Sequence, residues 1–142
     1  MLNYQHAAHA GNYADVLKHM LLSICIEQLR QSAIPILYID THAGSASYEL
    51  DNEHASTNKF KTGIKILDFS SLSGSIAPYR NCVEPFLKHN RYPGSPVIAA
   101  NLLRTQDQLN LYELHSDEYI LLNTINPMVK IAAKTTSTLE VR

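Results

Sequence analysis

The chain has 142 residues, 45% of them hydrophobic and 18% charged, with 12 Lys and Arg against 13 Asp and Glu for a formal charge of −1. That length suits one domain able to bury about 68–70% of the surface its unfolded chain exposes. The balanced charge excludes a global pull on nucleic acid, and no apolar run approaches the ~18 residues of a membrane span.

Taken in chain order, Val16, Leu17, Met20, Leu21, Ile24, Cys25 and Leu29 recur at three- and four-residue steps. They predict an amphipathic helix over 13–30 with that stripe, Cys25 included, toward the core. Asn12 is the expected N-cap, Asp15 sits in the positive end of the helix dipole, and Arg30 closes the last turn. Residues 36–39 follow Pro35 as a β-branched and aromatic run that reads as a parallel strand covered on both faces. A polar stretch over 48–58 leads to a helix around 60–68 and a Ser/Gly-rich loop over 70–75. A second short helix over 77–88 should break or kink near Pro85. Tyr92-Pro93-Gly94-Ser95-Pro96 reads as a rigid turn before a helix over 97–103. Residues 108–114 alternate as a second strand, Ser116 caps a helix carrying Tyr119, Ile120, Leu122 and Ile125, and 138–142 begins a third strand. The order is that of an α/β layer structure with a parallel sheet.

Chemistry is expected where the first strand ends, at Asp40-Thr41-His42-Ala43-Gly44. A glycine there lets the backbone turn against a ligand and offer its N–H groups, while Asp40 can accept from a ligand ammonium or simply cap the turn. Glu113, ending the second strand, is placed to accept both hydroxyls of a ribose. The interval from Gly44 to Glu113 is far longer than the ~20 residues of a dinucleotide fold, which an inserted helical unit would explain. Lys18 and His19, one turn into the first helix, suit a carboxylate. For each of these a plain structural role competes: loop hydrogen bonding for His42, helix capping for Ser95, an exposed strand end for Glu113, a solvated helix face for Lys18. His6, His9 and His19 lack a third ligand in register, so no metal site is expected. Local basic clusters at Lys59, Lys61 and Lys65, or at Arg80, Lys88, His89 and Arg91, are the candidates for any RNA contact. Cys25 and Cys82 form neither a C-x-x-C pair nor a disulfide framework; with no basic-then-apolar leader at the N-terminus, the expectation is a cytoplasmic protein with reduced thiols.

The stretches Tyr4-Gln5-His6-Ala7-Ala8-His9-Ala10-Gly11-Asn12-Tyr13-Ala14-Asp15-Val16-Leu17-Lys18-His19, Asp40-Thr41-His42-Ala43-Gly44, Tyr92-Pro93-Gly94-Ser95-Pro96 and Glu113-Leu114-His115 stand in this order along the chain. Together they closely resemble the bacterial ribosomal RNA large subunit methyltransferase J family, over essentially all of this chain but only the N-terminal half of a family member. The resemblance implies a Rossmann-like methyltransferase fold with an inserted helical subdomain at about 51–95. It also implies S-adenosylmethionine as methyl donor and the exocyclic amino nitrogen of an adenine in 23S ribosomal RNA as acceptor. Carried over by motif, His19, His42, Ser95 and Glu113 would contact the donor, with Lys18 and His19 near its methionine carboxylate and Glu113 on its ribose. Tyr4 matches an RNA-contacting position.

Two departures stand out. Ala46 replaces a second loop glycine of similar family members, for which a small effect is expected. The family's Asp-Pro-Pro-Tyr acceptor motif does not occur in residues 1–142, so the catalytic acid has no counterpart here and the chain is expected to be inactive alone. A noncatalytic RNA-binding or scaffold fragment and a nicotinamide-binding α/β domain are the competing functions, the latter disfavoured by the missing glycines. An open sheet edge would also make the isolated chain prone to self-association.

Overall fold

The computed structural model describes residues 9–50 and 59–122. Tyr4, His6, most of the 48–58 stretch, Ile125 and the strand expected at 138–142 lie outside them. The described elements are α1 (Tyr13–Leu29), β1 (Leu37–Asp40), β2 (Ser47–Glu49), α2 (Ala77–Leu87), β3 (Arg91–Pro93), α3 (Ser95–Leu102), β4 (Gln108–Leu111) and α4 (Ser116–Leu122).

α1 begins as expected, with the Asn12 carboxamide oxygen accepting from the Asp15 N–H at 2.9 Å. Its buried face differs from the expected stripe. Val16, His19, Ser23 and Ile26 face inward, while Leu17, Leu21 and Leu29 are 58%, 53% and 56% exposed and Cys25 is exposed too. The inward polar groups are satisfied, Ser23 donating to the His19 carbonyl at 2.8 Å and His19 bonding Tyr92, so burying them carries little desolvation penalty. α1 packs on α2 and α3, around a core in which Tyr79, Val83, Tyr92, Ile98, Ala99, Leu111 and Leu122 are wholly buried.

β1 pairs in parallel with β4, Leu37 opposite Gln108 and Asp40 opposite Leu111. The ladder runs on past the strand ends: Tyr112 N–H donates to the Asp40 carbonyl at 2.8 Å, and Ala43 N–H to the Tyr112 carbonyl at 3.0 Å. The expectation of a strand covered on both faces is corrected, because Leu37 and Ile39 are more than half exposed while Tyr38 and Asp40 turn inward. Among the described residues no element covers that outer face. The entrance of β1 is fixed by Arg104, whose guanidinium donates to the carbonyls of Arg30, Ser32 and Ile34 and to the Asp107 carboxylate. Asp107 in turn accepts from the Ile36 N–H at 2.8 Å, tying the α1–β1 loop to the α3–β4 turn.

The segment between the strands departs from the expected pattern in two places. In place of a helix over 60–68 there are short 3-10 turns, Lys59–Thr62, Ile64–Ile66, Phe69–Ser71 and Gly74–Ile76. Ile64 N–H is drawn out of any helical ladder to the Gly11 carbonyl at 2.8 Å, and the Asp68 carboxylate takes Ser70 N–H at 3.0 Å. Such side-chain capture favours turns over a continued helix. Second, Tyr92 and Pro93 belong to β3, which forms an antiparallel ribbon with β2, Tyr48 opposite Tyr92. The stretch read as a rigid turn is therefore a strand end leading through Gly94 into α3. α2 runs unbroken through Pro85.

Candidate functional site

A cleft of about 340 Å3 opens beside the end of β1. α1 supplies Asp15, Lys18, His19 and Leu22; β1 and its loop supply Tyr38, Asp40, His42 and Ala43; the ribbon and the start of α3 supply Tyr48, Gly94 and Ser95. Five expected site residues, Lys18, His19, Asp40, His42 and Ser95, thus share one cavity although up to 77 positions separate them in the chain.

The Asp40 carboxylate accepts three hydrogen bonds in the cavity wall. Its Oδ2 accepts from Ser95 Oγ at 2.7 Å and from the Tyr38 hydroxyl at 3.2 Å, and its Oδ1 from the His42 N–H at 3.1 Å. Burial and the neighbouring Asp40 charge push the Tyr38 phenol well above its usual range, so it stays a donor to that carboxylate. Lys18 projects from α1 with its Nζ 2.8 Å from Asp15 Oδ1, its side chain 62% exposed. A cation and a carboxylate in one cleft suit a zwitterionic ligand.

His19 forms a deeper part of the wall. It is buried, its Nδ1 lies 2.9 Å from the Tyr92 hydroxyl, and burial lowers its pKa to about 4, outweighing the Asp15 charge. At neutral pH the ring is therefore uncharged and acts as a hydrogen-bonding group. The exposed His42 ring sits beside the Thr41 hydroxyl at 2.9 Å.

Gly44 and Glu113 stand behind the cavity wall. Gly44 has φ +65°, a conformation that favours glycine, and its N–H donates to Glu113 Oε2 at 2.7 Å. Glu113 Oε1 accepts from the N–H groups of Leu114 and His115 at 2.7 and 2.8 Å. Glu113 is 5% exposed, which rules out the exposed strand end, and its carboxylate bolts the β1 loop to the end of β4. Three of its roughly four acceptor positions are filled by backbone. Accepting two ribose hydroxyls would require one of these bonds to yield. Gly94 comes so close to Ser45 that a Cβ would meet its carbonyl oxygen at 2.3 Å, and its N–H donates to the Ala46 carbonyl at 3.0 Å. Asn90 is the one non-glycine residue with positive φ among the described residues, so the backbone at Ala46 makes no demand for glycine.

Asp15, Tyr38, Tyr48 and Tyr92 were not read as site residues from the sequence. Tyr38 carried a usable signal, since strand alternation puts it on the same face as Asp40. Tyr48 carried none, and Tyr92, though it opens the Tyr92-Pro93-Gly94-Ser95-Pro96 stretch, was read only as part of a turn because the ribbon was not recognised. Of the basic candidates, Lys59 Nζ lies 3.3 Å from His9 Nδ1, Lys65 sits 5.0 Å over the Phe60 ring, and Arg91 donates to Ser47 Oγ at 2.8 Å. Cys82 is buried in the core, where desolvation raises its thiol to about 11. Among the described residues no helix is long and apolar enough to cross a membrane.

Residues 33–139 match the family model described as ribosomal RNA large subunit methyltransferase D, RlmJ. The chain is 46% identical over 129 residues to ribosomal RNA large subunit methyltransferase J of Escherichia coli strain K12, covering 87% of this chain and 46% of that protein. It is 41% identical over 128 residues to the protein of the same name from Haemophilus influenzae, covering 86% and 46%. The chain therefore spans about half the length of these relatives. A crystal structure of a Legionella pneumophila protein superposes with a TM-score of 0.81 at 35% identity, over 90% of this chain and 49% of the other. With its parallel β1–β4 pair ending in the cleft and its helices packed on one another, the chain has the Rossmann-like α/β fold of these proteins and belongs to the ribosomal RNA large subunit methyltransferase D, RlmJ family.

Proposed function

We propose that this chain forms the donor-binding half of an S-adenosylmethionine-dependent methyltransferase acting on the exocyclic amino group of an adenine in 23S ribosomal RNA. The observation that carries the reading is the meeting of Lys18, His19, Asp40, His42 and Ser95, from widely separated motifs, in one cleft at the carboxyl end of β1. The chemistry of the donor set fits the ligand. Lys18 and His19 would hold the carboxylate of the donor's amino-acid moiety, and Asp40 would take its ammonium, directly or through water. Gly44 and Glu113 would shape the side nearest the ribose.

When bound, S-adenosylmethionine supplies an activated methyl on a sulfonium that leaves readily. The chain's own residues bind and orient it, a contribution of alignment more than of acid–base power. Family membership supports an RNA substrate; Tyr4 would contact it, and the insertion expected at about 51–95 would comprise, among the described residues, the 3-10 turns, α2 and β3. The target base has to be unpaired or turned out of its stack to be reached. No Asp-Pro-Pro-Tyr segment stands in residues 1–142, so this chain alone would bind donor without transferring methyl.

Calorimetric titration with S-adenosylhomocysteine tests the reading. Wild type should bind one equivalent, and Asp40→Ala should bind at least about tenfold more weakly, as expected for a lost charge-assisted bond. Equal affinities, or binding of NAD in preference, would refute it.

A further inference from the structure

We propose that Tyr92, backed by Tyr79, is a positioning residue that fixes the tautomer of His19, so that the imidazole offers an N–H, not a lone pair, to the ligand in the cleft. Three elements meet to build this relay. The Tyr92 hydroxyl on β3 lies 2.9 Å from Nδ1 of His19 on α1, and the Tyr79 hydroxyl on α2 lies 3.2 Å from that of Tyr92. The imidazole and the Tyr92 ring stack at 5.6 Å with 19° between their planes. Both tyrosines are 0% exposed, so water cannot complete their hydrogen bonding.

Counting protons selects one arrangement. A neutral imidazole carries one N–H, and each phenol has one proton to donate. If His19 Nδ1–H donated to Tyr92, then Tyr92 would donate to Tyr79, and the Tyr79 proton would be left without an acceptor in a closed core. The opposite direction satisfies every group: Tyr79 donates to Tyr92, Tyr92 donates to Nδ1, and the ring proton resides on Nε2. Nε2 is then the ring atom left for the cleft that His19 lines, and as a donor it matches a carboxylate. The charged groups around the ring are Asp15 and Lys18 on its own helix and Asp40 from β1, and burial prevails over them to keep it neutral. Burial also drives both phenols far above their usual range, so both remain protonated donors.

The ligand half of this inference rests on the donor-site reading, whereas the tautomer half stands without it. Nitrogen-15 NMR of the histidine-labelled chain should find His19 protonated at Nε2 and bare at Nδ1 in the absence of ligand; a ring protonated at Nδ1 would overturn the proposal. In Tyr92→Phe the Nδ1–H form should become populated and affinity for S-adenosylhomocysteine should fall about tenfold. An unchanged tautomer, or a changed tautomer with full affinity, would contradict it. Tyr79→Phe leaves Nδ1 as the acceptor for the Tyr92 proton, so the Nε2–H tautomer should persist there; a switch to Nδ1–H in that variant would contradict the relay, which keeps the test open should Tyr92→Phe fold poorly. Should wild type bind no S-adenosylhomocysteine, the donor site fails while the tautomer measurement still decides the relay.

Discussion

α1 and β1 each have two faces built on opposite plans. Facing the cleft and core, α1 presents Val16, His19, Ser23 and Ile26, and β1 presents Tyr38 and Asp40, a half-polar set whose hydrogen bonds are made within the fold. Facing away, Leu17, Leu21 and Leu29 on α1 and Leu37 and Ile39 on β1 stand more than half exposed. In each element the more apolar face is the uncovered one. Hydrophobic patterning alone therefore points α1 the wrong way, and polar residues that find buried partners decide where the site lies.

Substitutions on the two sides should separate them sharply. The largest effect is expected for Glu113→Ala, which leaves the N–H groups of Gly44, Leu114 and His115 without their acceptor and should cost about 4 kcal/mol in urea unfolding. Next comes Ile98→Ala at a wholly buried position, at about 3 kcal/mol. A loss under about 1 kcal/mol for both would mean that the described core is not the stabilising one.

His19 makes the contrast pH-dependent. Its folded pKa of about 4 lies below the ordinary 6.5, so between these values the unfolded chain takes up a proton that the folded chain refuses. Stability should fall as pH drops from about 6.5 toward about 4, and this group should make no difference above 6.5. Urea midpoints measured across that window should slope less in His19→Gln, and equal slopes would show the ring to be freely protonated. The smallest change is predicted on the outer face. Leu17→Ser and Leu21→Ser should alter stability by no more than about 0.5 kcal/mol, with reduced self-association in sedimentation; losses near those of Ile98→Ala would show that face to be buried.

Much of the site was legible in the sequence because short motifs carry it. An acid ending a strand, a glycine four residues on, and Lys18-His19 a turn into a capped helix are local signatures, and the fold brings them together. The role of Glu113 was legible only as a position. That its carboxylate is filled by three backbone N–H groups depends on where the Gly44 loop turns, which no spacing encodes. The β2–β3 ribbon was missed because Ser47–Glu49 and Arg91–Pro93 are three residues each and hold together through pairing 42 to 46 positions apart, with a proline in one strand. The expected helix over 60–68 failed because Gly63 and Asp68 commit their neighbours to turns. Tyr79, whose hydroxyl lies 3.2 Å from that of Tyr92, looks in the sequence like an ordinary aromatic residue, and Tyr92 like part of a turn.

The central claim is that the cleft at the end of β1 holds the methyl donor. Amide chemical-shift mapping during titration with S-adenosylhomocysteine tests it most directly. The account predicts that the largest changes fall on His19, Asp40, His42, Gly94 and Ser95, while Leu17, Leu21, Leu37 and Ile39 stay still. Changes centred on those exposed apolar residues, or none at saturating ligand, would contradict it.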